Sequence, residues 1–294
     1  MTSFPTGMLT EAHLAEVIAE IWPDKVNDIF YSNLKAASFF TDMSEEVVAG
    51  GDIINIPNLQ ELSTSARGTE TAMIPLQGYD MDSTTLTIAT EKVAAVGISR
   101  REMLQMLAKY SMQTRLMEGL NYAIRKDLDT ALLGLYSGIA GGYTVNDSAS
   151  AVEDADILQA IGLLAAQDIP LEECAFFFYP TIVWGDLMVI SKYYDASSLG
   201  INPGPVASRP TNNSPVGYLY GIPVYSSSNV PITATDFVHN MLAYKDAFAW
   251  AQQGGVATKS TYEHLYGANV ISQSLLYGVI ENRAGAAVEI DSIS

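Results

Sequence analysis

Apolar positions change period several times along the chain, and each change marks off a segment. Residues 1–45 contain TEAHLAEVIAEIW, where Leu14, Val17, Ile18 and Ile21 recur at helical spacing behind Thr10 as a capping residue. Pro23 keeps that helix from running on unkinked. A one-sided helix of this kind needs a surface to lie on, so the segment reads as an N-terminal arm. From 46 to 98 the period drops to two. VVAGGDIINIP predicts a strand entered through a Gly-Gly turn, and TLTIATEKVAAVGIS predicts a second strand region in which Leu86 and Ile88 alternate with threonines. Between them, NLQELSTSARGTETAMIPLQGYDMDS has too little apolar content to build a core of its own. The expectation is an extended two-stranded hairpin, ordered by whatever it is laid against.

Residues 99–136 carry the longest helical pattern. Ser99 and Glu102 make an S-x-x-E capping box, and Met103, Leu107, Tyr110, Met117, Leu120, Ile124, Leu128, Ala131 and Leu135 follow at helical spacing. A helix over that span is about 50 Å long, ended by Gly138, Gly141 and Gly142. Residues 143–255 alternate. DADILQAIGLLAAQDIP predicts a helix stopped by Pro170, ECAFFFYP a short buried strand, and TIVWGDLMVIS a second helix after Pro180. SSLGINPGPVASRPTNNSPVG is loop-like, YLYGIPVYSSS a strand or hairpin edge, and MLAYKDAFAWAQQ contains one further strand. Pro223 lacks a backbone donor, which places its strand at a sheet edge or at a strand start. Ser226, Ser227, Ser228 and Asn229 then form a turn. Residues 256–294 are strand-like throughout. The sum is an α+β chain.

Composition sharpens this picture. Apolar residues make up 48% and charged ones only 16%, so the core is well supplied and the charged skin sparse, which fits a surface largely covered by partners. The net charge is −18, from 33 acids against 15 bases, but the bases cluster. Residues 100–126 hold Arg100, Arg101, Lys109, Arg115, Arg125 and Lys126, opposed within that stretch only by Glu102 and Glu118. The plain reading of that cluster is a solvated helix face. Cys174 stands alone, which excludes an internal disulfide and suits a buried small side chain. The first residues have neither the basic lead nor the apolar core of a signal peptide, and no apolar run is long enough to span a bilayer.

Catalytic groupings are scarce. His13, His239 and His264 have no metal-ligand spacing, and neither a G-x-S-x-G elbow nor a phosphate loop occurs. Asp127 and Asp129 stand two apart on a helix and so face different ways. Asp80 and Asp82 sit in the polar excursion, where solvated carboxylates are the default. The serines at 226–228 lack a visible base, so a turn is the better reading than a nucleophile. No catalytic residue, cofactor or metal is expected.

The order of segments is more informative than any one of them. GGDIINIP with TLTIATEKVAAVGIS, then SRREMLQMLAKYSMQTRLMEGLNYAIRKDLDTALL, then YGIPVYSSSNVP followed by MLAYKDAFAWAQQGGVATKSTYE, then SLLYGVIENRAGAAVEI, together resemble the major capsid proteins of tailed bacteriophages, the Hong Kong 97-type fold. The resemblance spans nearly the whole chain. It implies an N-terminal arm (1–45), an extended loop (46–98), a spine helix with peripheral domain (99–142), an axial domain (143–255) and returning peripheral strands (256–294). It implies self-assembly into hexamers and pentamers around packaged double-stranded DNA, with scaffolding, portal and decoration proteins as further partners and no membrane. The location implied is the virion capsid, assembled in the host cytoplasm. Under this resemblance the basic helix residues face inward, Arg67, Glu70, Asp80 and Asp82 lie in an intersubunit loop, and the turn from Ser226 to Asn229 lies near the centre of a capsomer. Some relatives cross-link through a lysine in the extended loop. Residues 57–90 here contain no lysine, so no such cross-link is expected. The rival readings are an encapsulin-like nanocompartment shell, a soluble α/β enzyme with an unrecognised site, and another virion component such as a tail protein.

Overall fold

The computed structural model describes residues 34–47, 50–59, 62–64, 78, 82–99, 112–139, 143–146, 150–190, 215–233, 237–264, 267–283 and 285–293. The described chain starts with a short helix, α1 (Ala36–Phe39), and a two-residue strand, β1 (Thr41–Asp42). Strands β2 (Ile53–Asn58), β3 (Asp82–Thr87) and β4 (Thr90–Ser99) follow, then the long helix α2 (Met112–Leu133), which tightens into a 3-10 extension, Gly134–Gly138. Next come β5 (Thr144–Val145), helix α3 (Asp154–Ala165), β6 (Cys174–Phe178) and a turn of π-helix, Ile182–Asp186. The remainder is β7 (Gly217–Leu219), β8 (Ile222–Ser226), β9 (Phe237–Tyr244), β10 (Phe248–Glu263), β11 (Ala268–Glu281) and β12 (Ala287–Ile293). No helix among the described residues is long and apolar enough to cross a membrane.

Two larger sheets carry the fold. One runs β1-β10-β11-β4 and the other β5-β12-β9-β6-β8-β7, while among the described residues β2 and β3 pair only with each other. Strand β6 feeds a separate core on each face of its sheet. All five of its residues are buried, and the period of two sends them opposite ways. Cys174, Phe176 and Phe178 join Ile157 and Leu164 of α3, whereas Ala175 and Phe177 join Phe40, Phe248 and Leu128 of α2. Helix α2 turns Leu120, Ile124, Leu128 and Leu132 inward at near-helical repeat. Met117, expected on the same stripe, is 38% exposed. The described 22 residues of this helix span about 33 Å. Its expected beginning, with Glu102 of the capping box, lies outside the described residues, and Ser99 is the last residue of β4. Helix α3 starts where expected, with Glu153 and Asp156 forming a reciprocal capping box.

The structure departs from the sequence reading in three places. TLTIATEKVAAVGIS is two strands: β3 returns along β2, with Ile53 opposite Thr87 and Asn58 opposite Asp82, while β4 leaves to pair with β11. MLAYKDAFAWAQQ is also two strands. The Ala247 amide donates to the Tyr244 carbonyl across a tight turn, and the chain passes from the six-stranded sheet into the four-stranded one. It passes back after β11, where the Asn282 and Arg283 amides both donate to the Ala247 carbonyl, and β12 inserts between β5 and β9. The strand-like run 256–294 therefore divides between the sheets. Finally, of the sheet edge or strand start expected for Pro223, the structure excludes the edge and keeps the start. Strand β8 lies between β6 and β7, and Pro223 stands opposite Tyr218 in a tight hairpin turned at Tyr220 and Gly221, both with positive φ. Pairing with β6 begins one residue later, at Val224 opposite Phe176, so the missing amide is spared at the strand start.

Candidate assembly surfaces and buried junctions

The β2–β3 hairpin has little of its own to bury. Every residue of β2 is exposed or half-exposed, and the ladder is reinforced by polar contacts: Asn58 Nδ2 donates to Thr84 Oγ1 at 2.8 Å and Thr85 Oγ1 to Asn55 Oδ1 at 3.1 Å. Apolar side chains nonetheless face outward here, with Ile53 52%, Leu59 77% and Leu62 64% exposed. The hairpin is anchored at its root, where Leu86 and Ile88 are buried with Val47 and Ala251. Next to that root, Asp127 of α2 accepts from Tyr277 Oη at 2.6 Å and pairs with Lys92 at 3.1 Å, tying β11 and β4 to the helix. Burial, then the bond to Asp127 and its charge, push the Tyr277 phenol well above its ordinary range. Of the residues expected in an intersubunit loop, Asp82 is exposed at the start of β3, where it accepts from the Ser83 amide at 2.8 Å. Arg67, Glu70 and Asp80 lie outside the described residues.

Three of the six clustered bases are described, and all three are exposed. Arg115 and Lys126 are eleven residues apart, about three helical turns, and so share a face of α2. Arg125 is turned away from that face, with Nε donating to Asn121 Oδ1 at 3.2 Å at a 610 Å³ cleft lined by Leu34, Trp250 and Gln273. Arg100, Arg101 and Lys109 lie outside the described residues.

The turn at Ser226–Asn229 is less outward than its composition implies. Ser228 is exposed and Ser226 half-exposed, but Ser227 and Asn229 are buried, 1% and 4% exposed. The Ser227 amide donates to the Phe178 carbonyl at 3.0 Å, and Ser227 Oγ accepts from the Asn229 amide at 3.2 Å. Asn229 Nδ2 donates to Asp129 Oδ2 at 3.0 Å, while the Ala36 amide donates to Asp129 Oδ1 at 2.7 Å. One carboxylate on α2 thus fastens the end of β8 and the start of α1 together. Burial raises the Asp129 pKa, against the opposing effect of the bonds from Asn229, Ala36 and Ala37. Asp127 and Asp129 do face different ways, as their spacing requires. His239, the nearest histidine to the serines in sequence, is engaged elsewhere, which leaves the serines as turn residues.

His239 belongs to a cluster that spacing alone did not reveal. In the β9–β12 register His239 stands directly opposite Asp291, and Glu289 precedes Asp291 by two on the same face of β12. His239 Nδ1 lies 2.8 Å from Glu289 Oε1 and 2.9 Å from Asp291 Oδ1. The Tyr136 ring stacks on the imidazole at 4.2 Å. Burial and then the Asp291 charge raise the Glu289 pKa, and burial followed by both carboxylates raises that of Tyr136. The signal was present in AVEIDSI, where two acids sit two apart on an otherwise apolar strand. Cys174 is buried as expected, and burial pushes its thiol up to about 11.

No protein-family model and no curated protein matches the chain. Solved structures do. A structure from Mycobacterium phage Che8 aligns over 93% of this chain and 96% of its own, with a TM-score of 0.72 and 17% identity. The capsid structure of cyanophage P-SCSP1u aligns over 100% of both chains, with a TM-score of 0.74 and 14% identity. The capsid of Ralstonia phage GP4 aligns over 100% of this chain and 98% of its own, with a TM-score of 0.70 and 11% identity. The α+β fold is therefore one shared, end to end, with phage capsid structures.

Proposed function

We propose that the chain is the major capsid protein of a tailed phage, a structural subunit that assembles into hexamers and pentamers and encloses double-stranded DNA in the virion. The observation that carries this reading is the end-to-end likeness to phage capsid structures, which takes in the whole chain. The exposed hairpin supports it: a two-stranded element with outward apolar side chains gains by lying across another copy. In this reading residues 1–45 are the arm, 46–98 the extended loop, 99–142 the spine helix with peripheral domain, 143–255 the axial domain and 256–294 returning strands. The face of α2 holding Arg115 and Lys126 meets the packaged DNA, whose phosphates attract it without reading sequence. Scaffolding, portal and decoration proteins are the further partners, and assembly takes place in the host cytoplasm.

The test is to express the chain and image it by negative stain. Shells, tubes or hexameric rings are expected. A well-behaved monomer or small compact dimer would sink the proposal, and particles filled with protein cargo instead of DNA would favour a nanocompartment. In mature particles this chain should run at its monomer mass on denaturing gels, because residues 57–90 carry no lysine for cross-linking. A ladder of covalent multimers would contradict that.

A further inference from the structure

We propose that His239, Glu289 and Asp291 bind one divalent transition-metal ion on the seam between β9 and β12. The site follows from strand geometry. The period of two places all three side chains on one face, across a register that pairs His239 with Asp291. Their ligating atoms all lie within 4.8 Å of one another, and Nδ1 stands 2.8 and 2.9 Å from the two carboxylate oxygens. Two ligands held about 2.1 Å from one ion at right angles are about 3.0 Å apart, so small adjustments seat an ion against all three.

Charge points the same way. Glu289 and Asp291 are 9% and 8% exposed, and among the described residues no lysine or arginine pairs with either. Two enclosed carboxylates facing one imidazole form a net negative pocket, which a dication neutralises more fully than the single proton shared at Nδ1. The imidazole separates this cluster from a set of acids alone, because it favours zinc, nickel or cobalt over magnesium and calcium, while the two carboxylates still admit manganese. Among the described residues none hydrogen-bonds the buried His239 Nε2, so the ring is fixed by stacking on Tyr136 and by whatever Nδ1 holds. Thr144 of β5 donates to the outer oxygen of Glu289 at 3.3 Å, the supporting contact that orients a ligating carboxylate. An ion here joins β9, β12 and β5 to the extension of α2 that carries Tyr136. The inference does not depend on the shell reading, since every residue in it belongs to one chain.

The full chain, stripped with EDTA, is titrated with zinc chloride, manganese chloride and magnesium chloride by calorimetry. One equivalent of zinc or manganese is expected to bind, with magnesium at least about 100-fold weaker. His239→Ala and Glu289→Gln should each weaken binding by at least about 10-fold, the lower end of the cost of losing even a supporting contact. Glu289→Gln keeps the side-chain shape and an acceptor for Thr144, and its circular dichroism reports folding. Cobalt added to the unmodified chain supplies a readout free of variants: ligand-field absorption should appear and be displaced by stoichiometric zinc. A chain that binds neither zinc nor manganese, or variants that bind as tightly as the original, would overturn the proposal. So would a chain whose His239 ring protons titrate with pH identically with and without zinc, which would leave a proton-held ion pair.

Discussion

Asp129 is fully enclosed and still has a carboxylate's need for donors, which Ala36, Ala37 and Asn229 supply. Asp129→Ala leaves those donors facing one another across a void. A loss of about 2–4 kcal/mol in denaturant unfolding is expected. The same residue sets a pH response. Its folded-state pKa lies above its ordinary value of 3.8, so the folded chain takes up this proton before the unfolded chain does. The stability linked to it is full below the unfolded value and is lost as pH rises through the folded one. The unmodified chain should therefore gain stability relative to Asp129→Asn as pH falls from neutral towards 4. A gap that moves the opposite way would show that the three donors outweigh burial. Nothing in the local sequence separates Asp129 from Asp127. One meets the start of α1 and the turn after β8, the other meets Lys92 and Tyr277, and those neighbours come from segments far along the chain.

Strand β6 and strand β11 illustrate two ways in which an element serves both of its sides. Phe177 packs against Phe39, Phe40 and Tyr225, whereas Phe176 and Phe178 stack together in the other core. Phe177→Ala should cost about 3–5 kcal/mol, read as a lower denaturation midpoint, and should loosen the attachment of α1 as seen by amide exchange. In β11 the critical residue is the smallest. A Cβ on Gly278 would sit 2.3 Å from the Thr87 carbonyl oxygen, where β3 hands over to β4. Gly278→Ala should destabilise by about 3 kcal/mol, the upper part of the overpacking range. Gly97→Ala is the control, because its Cβ meets only Val270 at an ordinary 3.9 Å; a shift within about 0.5 kcal/mol is expected. Elements of this kind were readable where local pattern decides them. The CAFFF strand, the capped α3 and the helical repeat of α2 follow from period and caps. Sheet membership was not readable, since local pattern marks β10 and β12 alike as strands while their partners come from distant segments. The His239 cluster was missed for the same reason, its ligands being fifty residues apart.

Taken as one body, the chain carries a net charge of −18, and copies of it repel one another in dilute salt. If it forms shells, raising ionic strength shortens the reach of that repulsion from about 10 Å at 0.1 M to about 3 Å at 1 M. Light scattering should then show assembly that is faster in higher salt. Assembly slowed by salt would point to attractive charge pairs across the contact. Strand β1 pairs with β10 through Thr41 and Ala249, and β5 with β12 through Thr144 and Glu289, so the fold closes through contacts distant in sequence. Strand β12 lies between β5 and β9 in the six-stranded sheet. A nascent chain that has not yet yielded Ala287–Ile293 holds two unpaired strand edges where the middle of a sheet belongs. Interrupted translation products thus present an open sheet, which marks them for aggregation or proteolysis. The placement of one late strand makes its synthesis a condition for closing the six-stranded sheet, so copies that stop before Ala287 lack the native surface.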